Sequence, residues 1–197
     1  MRLKPNVVVG FGGYASFPTM LAASFSGYPT VIHEQNAVLG KANKLLANRV
    51  RCIATSFRKT DGLPKNGVAR VVHTGIPLRS SVSIAIGNPY PNLKLNGLIS
   101  MLVIGGSQGA RVFSDVVPKA LELLEESLRK RIRISQQCRP EDLERTRKRY
   151  QKLGIQAELK TFFDDVPKRL VKSHLLIGRS GASTIAELVH TLTPFIA

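Results

Sequence analysis

Five short stretches carry residue types suited to chemistry on a phosphorylated or polyhydroxylated substrate, and each follows an apolar, β-branched run. The first is Gly105-Gly106-Ser107-Gln108-Gly109-Ala110, directly after Leu102-Val103-Ile104. Glycines let the backbone approach a ligand closely, and the free N–H groups of a helix start attract anions. Ser107 and Gln108 add side-chain donors for phosphate or sugar. The pattern is not the dinucleotide fingerprint with its downstream acid, and a plain tight turn between strand and helix is the alternative. The second stretch, Gly178-Arg179-Ser180-Gly181-Ala182-Ser183-Thr184, follows Leu175-Leu176-Ile177. Its small residues leave room for a ligand at the next helix start. Glu187, one turn further, can accept two hydrogen bonds from a vicinal diol such as a ribose. A helix cap made by Ser183 or Thr184 with Glu187 as reciprocal partner fits the same residues. The third, His33-Glu34-Gln35-Asn36, ends the run Thr30–His33, where α/β sheets bind ligands, although an ordinary polar loop reads the same way. Gly10-Phe11-Gly12-Gly13-Tyr14 is the fourth. Thr74-Gly75-Ile76-Pro77-Leu78-Arg79 is the fifth, and its arginine can meet a phosphate.

The elements that must position these residues follow from the hydrophobic pattern. Strands are predicted at Val7–Val9, Thr30–His33, Cys52–Ala54, Val71–His73, Ser100–Ile104, Arg133–Ser135, Ala157–Lys160 and Leu175–Gly178. Most are continuous apolar runs, as buried parallel strands require. A helix is predicted over 110–129, with Phe113, Val116, Val117, Ala120, Leu121, Leu124 and Leu128 on one stripe and Pro118 kinking it or opening its second part. Another is predicted over 140–152, with Pro140 in the first turn. The segment Thr193–Ala197 reads as the start of a further buried strand. Repeated strand–helix alternation means a doubly wound α/β architecture. Turn-formers without period fill 80–98, so a first domain at 1–85, a linker at 86–97 and a second domain at 98–197 are expected. All five stretches follow strands, so they are expected to converge on one cleft between two nucleotide-fold domains.

Composition narrows the partners. The chain has 197 residues, 43% of them hydrophobic, which is enough to bury a core. No run of 18 apolar residues occurs, and the amino-terminal stretch does not read as a signal peptide, so a cytosolic protein is expected. Cys52 and Cys138 stand far apart and in no ligand spacing, nor does any of the four histidines, so reduced thiols and no metal are expected. The net charge is +16, of which +10 falls in residues 1–95. That balance suits an anionic membrane surface or a phosphorylated substrate. Aromatics are few and never interleave with basic residues as in RNA-binding platforms, so nucleic acid ranks last.

Gly12-Gly13-Tyr14, His33-Glu34-Gln35-Asn36, Gly105-Gly106-Ser107-Gln108-Gly109-Ala110, Arg179-Ser180-Gly181-Ala182 and Glu187 occur in an order and spacing that resemble the bacterial UDP-N-acetylglucosamine:lipid I N-acetylglucosaminyltransferases of peptidoglycan synthesis. The resemblance runs from about residue 4 to residue 194. It implies two Rossmann-like domains in the GT-B arrangement, both partial here, because the family has a histidine-bearing Gly-rich loop before this segment and a glutamine-bearing loop after it. The chain alone is therefore expected to be inactive. The resemblance implies inverting transfer of N-acetylglucosamine to the muramoyl 4-hydroxyl of lipid I, giving lipid II. Glu187 is expected on the ribose hydroxyls, and Ala182, Ser183 and Thr184 along the donor diphosphate and sugar. Ser107 is expected on the diphosphate, with Gln108 beside it. Phe163 is expected to offer its backbone to the uracil edge. Asn36 and Arg79 are expected on the donor from across the cleft. Gly12, Gly13 and Tyr14 are expected on the acceptor side, and Glu34 is the candidate general base. Ile76 stands where the family usually has Asn. No cofactor is expected. The expected partners are UDP-N-acetylglucosamine, lipid I and the anionic cytoplasmic face of the inner membrane. The alternatives are a diacylglycerol glycosyltransferase, a noncatalytic remnant that at most binds UDP, and a basic nucleic-acid-binding protein.

Overall fold

The structure, a computed structural model, describes residues 4–67, 69–78, 89–106, 111–191 and 193–197. The chain divides into two compact units, Met1–Pro77 and Leu78–Ala197.

The first unit holds a parallel sheet of four strands in the order β1 (Val8–Gly10), β2 (Thr30–Glu34), β3 (Cys52–Thr55), β4 (Arg70–His73). Helix α1 (Phe17–Phe25) connects β1 to β2, and α2 (Lys41–Leu46) lies between β2 and β3. Pro18 stands in the first turn of α1, where its missing N–H costs no hydrogen bond. Met20, Ile32, Leu39, Leu46, Ala47, Val50 and Ile53 form the core of this unit. Strand β2 is buried almost throughout, as its continuous apolar run predicts. Edge strand β1 leaves Val9 exposed, and Val7 just before it.

The second unit holds a parallel sheet of five strands in the order β7-β6-β5-β8-β9. These are β5 (Ile99–Ile104), β6 (Ile132–Gln137), β7 (Gln156–Lys160), β8 (Leu175–Gly178) and β9 (Phe195–Ile196). The chain winds outward from β5 through β6 to β7, then returns to lay β8 on the other side of β5, which is the doubly wound order. The short β9 continues outward from β8, and its Ile196 is exposed rather than buried. Successive residues of β5 feed opposite faces. Met101 and Val103 pack with Val117, Leu121, Ile134 and Tyr150. Leu102 packs with Leu170, Leu176 and Leu188. Both faces are covered by helices: α3 (Arg111–Glu122) and α5 (Leu143–Lys152) with the first cluster, α6 (Val166–Lys172) and α7 (Ala182–Thr191) with the second.

The helix predicted over 110–129 is broken. Helix α3 ends at Glu122, with Pro118 inside it, and a separate turn, α4 (Glu126–Arg129), follows. Leu123 N donates to Ala120 O and Leu124 N to Leu121 O, the tightened i→i+3 pattern of a closing helix end. The break lets Leu124 stay packed on the core while Leu123 turns 88% out to solvent. The helix predicted over 140–152 starts as a 3₁₀ turn at Pro140–Asp142 before α5. Among the described residues, no helix is long and apolar enough to cross a membrane.

Candidate functional site

In the second unit two glycine-bearing turns leave the sheet side by side. Strands β5 and β8 are hydrogen-bonded neighbours, with Ile104 opposite Gly178, and they flank the point where the winding reverses. Ligands of doubly wound sheets bind outside the carboxyl ends of the strands at that point. The backbones approach closely there: a Cβ on Gly178 would stand 2.9 Å from Ile104 O. Gly106 turns away from β5 with φ +85°, a conformation that favours glycine. Ser107 and Gln108 lie outside the described residues.

After β8, Arg179 and Ser180 are exposed, and Gly181 N donates to Arg179 O at 2.9 Å. Helix α7 then starts at Ala182, and the first N–H groups of a helix have no intrahelical acceptor. Ala182 and Thr184 are half-buried and Ser183 is exposed, so this end can receive an anion between small side chains. Ser183 and Thr184 are the second and third residues of the helix, inside its first turn. Glu187 is half-buried and has its own interactions.

Phe163, between β7 and α6, is 3% exposed. The Arg169 guanidinium lies 4.2 Å from its ring centroid and Lys160 Nζ 5.8 Å. Arg169 donates to both oxygens of Glu158, at 2.6 and 3.0 Å, to Asp165 Oδ1 at 2.6 Å and to Ser135 Oγ at 2.9 Å. Hydrogen bonds from Arg169, then from Lys160, hold the Glu158 carboxyl down at about 2. The ring is thus a fixed anchor, and what Phe163 can offer a ligand is backbone. The sequence reading missed Arg169. Its only local sign was the four-residue spacing from Asp165; its other partners come from distant strands.

A hollow of about 580 Å³ in this unit lies away from these turns, over Ser100, Arg133 and Gln156 near the starts of β5, β6 and β7, with Lys172 of α6 at its wall.

In the first unit the stretches after β1 and β2 meet at a hollow of about 400 Å³ lined by Phe11–Tyr14, Glu34–Asn36 and Gly40–Asn43. Gly12 and Gly13 have φ +79° and +76°, and Ser16 Oγ closes the turn on their carbonyls at 2.8 and 3.1 Å. Tyr14 is 82% exposed. His33 is buried, with Phe11 against its ring at 5.5 Å between centroids. His33 Nε2 meets Gly75 O at 3.0 Å, which ties the loop after β4 to the end of β2 and requires the proton on Nε2. Arg79, beyond that loop, lies outside the described residues.

Glu34 was expected as a general base, and its surroundings give it other work. It is 2% exposed. Oε1 accepts from Asn36 N and Asn36 Nδ2, both at 3.0 Å; Oε2 accepts from Gly40 N at 2.9 Å and Asn43 Nδ2 at 2.8 Å. Burial alone pushes this carboxyl up, but the bonds from Gly40, Asn43 and Asn36 together outweigh it, and the group ends below its ordinary value. A carboxylate has about four lone-pair sites, and four donors already occupy those of Glu34. Such a group is ill placed to take a proton from a hydroxyl. Asn43 and Gly40 were missed in the sequence, because nothing local shows that residues six and nine places on return to one carboxylate.

Models of the glycosyltransferase family 28 N-terminal and C-terminal domains match residues 1–55 and 100–197. The chain is 53% identical over 195 residues to a Paramagnetospirillum magneticum protein named UDP-N-acetylglucosamine--N-acetylmuramyl-(pentapeptide) pyrophosphoryl-undecaprenol N-acetylglucosamine transferase, covering 99% of this chain and 53% of that protein. A Zymomonas mobilis protein of the same name is 53% identical over 187 residues, covering 95% of this chain and 48% of that one. The chain thus spans about half the length of the curated relatives it matches. Among solved structures, Acinetobacter baumannii MurG superposes with a TM-score of 0.67 at 29% identity, covering 93% of this chain and 49% of the other. A glycotransferase of kitacinnamycin superposes with a TM-score of 0.59 at 12% identity, covering 98% and 57%, a likeness of fold alone.

Proposed function

Because the chain belongs to glycosyltransferase family 28, we propose that it transfers N-acetylglucosamine from UDP-N-acetylglucosamine to the muramoyl 4-hydroxyl of lipid I, with inversion, giving lipid II. One observation carries the placement of the donor: the glycine-bearing turns after β5 and β8 leave neighbouring strands where the winding reverses. The donor diphosphate lies against the start of α7, where unpaired N–H groups and the helix dipole meet the negative charge that grows as UDP departs. Ala182, Ser183 and Thr184 leave the space for it, and Glu187 accepts from the ribose hydroxyls. The backbone at Phe163 meets the uracil edge. Gly12, Gly13 and Tyr14 serve the acceptor, and Asn36 serves the donor. Helix-end electrostatics supply the leaving-group stabilisation, so no cofactor enters the scheme. The charge of +10 on residues 1–95 draws the protein to the anionic cytoplasmic face of the inner membrane, where its lipid-linked acceptor resides.

The test is a transfer assay with radiolabelled UDP-N-acetylglucosamine and either lipid I or diacylglycerol, beside calorimetric titration of UDP. Label in lipid II alone is expected once the flanking segments are supplied from a full-length relative, and none from residues 1–197 by themselves. Label on diacylglycerol would move the reading to another lipid acceptor. UDP binding without transfer even in that completed form would leave a nucleotide-binding chain and refute catalysis.

A further inference from the structure

An ionised carboxylate can only accept hydrogen bonds. Asn36 must therefore turn its amide nitrogen toward Glu34, and the 3.0 Å bond from Nδ2 to Oε1 records that. The amide is planar, so its oxygen is directed away from Glu34. That oxygen takes no hydrogen bond among the described residues, and Asn36 is an exposed residue on the wall of the 400 Å³ hollow. Behind the wall, Asn43 is 2% exposed and spends its Nδ2 on Glu34 Oε2 and on His33 O, at 3.3 Å. Its Oδ1 is buried with no partner. The same amide abuts the Gly-rich loop: a Cβ on Gly12 would stand 3.2 Å from Asn43 Nδ2. One carboxylate thus holds the loop of Asn36 and Gly40, the first turn of α2, and through Asn43 the loop that presents Tyr14.

We propose that Glu34 is a positioning residue: it locks Asn36 with its oxygen outward as acceptor for a hydroxyl or N–H of a sugar substrate, and seats Asn43 against Gly12, while another group removes the acceptor's proton. The proposal rests on the glycosyl-transfer reading above. It also defines what Asn36 selects. A site that offers a fixed acceptor favours a donor-bearing substrate group and leaves an unpaired oxygen when that group is absent.

Three forms of the chain decide it: wild type, Glu34→Gln and Asn43→Ala, each followed by NMR and, with the flanking segments supplied from a full-length relative, by transfer kinetics. Gln keeps the shape of Glu34 but turns an NH₂ group onto the donors at one end. In the wild type, the Glu34 carboxyl carbon should titrate below the ordinary glutamate value of about 4.3, and the Asn36 side-chain amide and the Gly12 and Gly13 amides should shift in step with it. Glu34→Gln and Asn43→Ala should each raise KM for one sugar substrate by about tenfold or more, the equivalent of one lost hydrogen bond. Their effects should not add, and the pH–rate profile should keep its shape. A Glu34 carboxyl titrating near neutrality, or Asn36 and Gly12 signals indifferent to it, overturns the proposal. So does a Glu34→Gln enzyme that loses kcat alone together with the acid limb of its profile, beside a neutral Asn43→Ala. If the wild type transfers nothing even with the flanking segments restored, the activity reading falls, and the titration, which needs neither variant nor turnover, still decides the role of Glu34.

Discussion

Replacing Arg169 by Ala removes the clamp on Phe163, and the structure sets the size of the effect. Arg169 is 18% exposed, whereas its partners Glu158 and Asp165 are 43% and 38% exposed. Solvent screens such pairs, so they contribute about 0.5 kcal/mol each. The guanidinium sits 4.2 Å from the centroid of a ring that is 3% exposed, and a desolvated cation–π contact is worth about 1–2 kcal/mol. The lost stem over the ring adds about 1 kcal/mol. The expected loss is about 3–4 kcal/mol, read by urea unfolding followed by far-UV circular dichroism. Arg169→Lys keeps the charge but loses the fork and the stacking, so it should recover no more than about 1 kcal/mol. Acid supplies a second check. Arg169 depresses Glu158 to about 2. A depressed carboxyl stabilises fully above its unfolded value, about 4.3, and the contribution fades as pH falls toward its folded one. The gap between wild type and Arg169→Ala should therefore narrow as pH drops below about 4.5. A loss under about 0.5 kcal/mol, or a lysine variant equal to wild type, would show that Phe163 is held by its apolar surroundings and not by the arginine.

Other outcomes are open to direct measurement. Glu187→Ala should weaken UDP binding by about 1.5–3 kcal/mol in calorimetry, and an unchanged affinity with the fold intact would remove Glu187 from the ribose. Tyr150→Phe should cost about 1–3 kcal/mol in urea unfolding, because it strips the 2.5 Å donor from Gln136 Oε1 in a region with no access to water. Anionic vesicles should retain the chain through the +10 of residues 1–95, with about 1 kcal/mol of attraction per surface Lys or Arg and steep loss in salt. Equal sedimentation with zwitterionic vesicles would remove charge as the cause.

Much of the sheet was legible because buried parallel strands are written as unbroken apolar runs. Ser100–Ile104 and Leu175–Gly178 read as strands for that reason, and they are neighbours in the second sheet. The break after Glu122 was not legible. Val116, Leu121, Leu124 and Leu128 keep a helical stripe across it, and only tertiary packing reveals that Leu124 reaches the core by a closing turn. The Gly-rich stretches announced themselves through residue type. What they could not announce is which polar groups hold them. Two of the four donors to Glu34 come from six and nine residues away, and the cations over Phe163 are Lys160 of β7 and Arg169 of α6, so their meeting is a property of the fold. The resemblance made Glu34 the candidate base, and only the count of donors around it speaks for a positioning role.

The contact between Gly178 and Ile104 O bears on how this site can drift over generations. Two strands touch there through main chain, with 2.9 Å left for any Cβ. The gauge between the two turns is therefore written in peptide geometry, which mutation of side chains cannot retune. Substitutions nearby can change which groups the turns present, but a side chain at position 178 would pry apart the strands that carry them. The loops are free to vary, while the spacing between the two turns stays pinned.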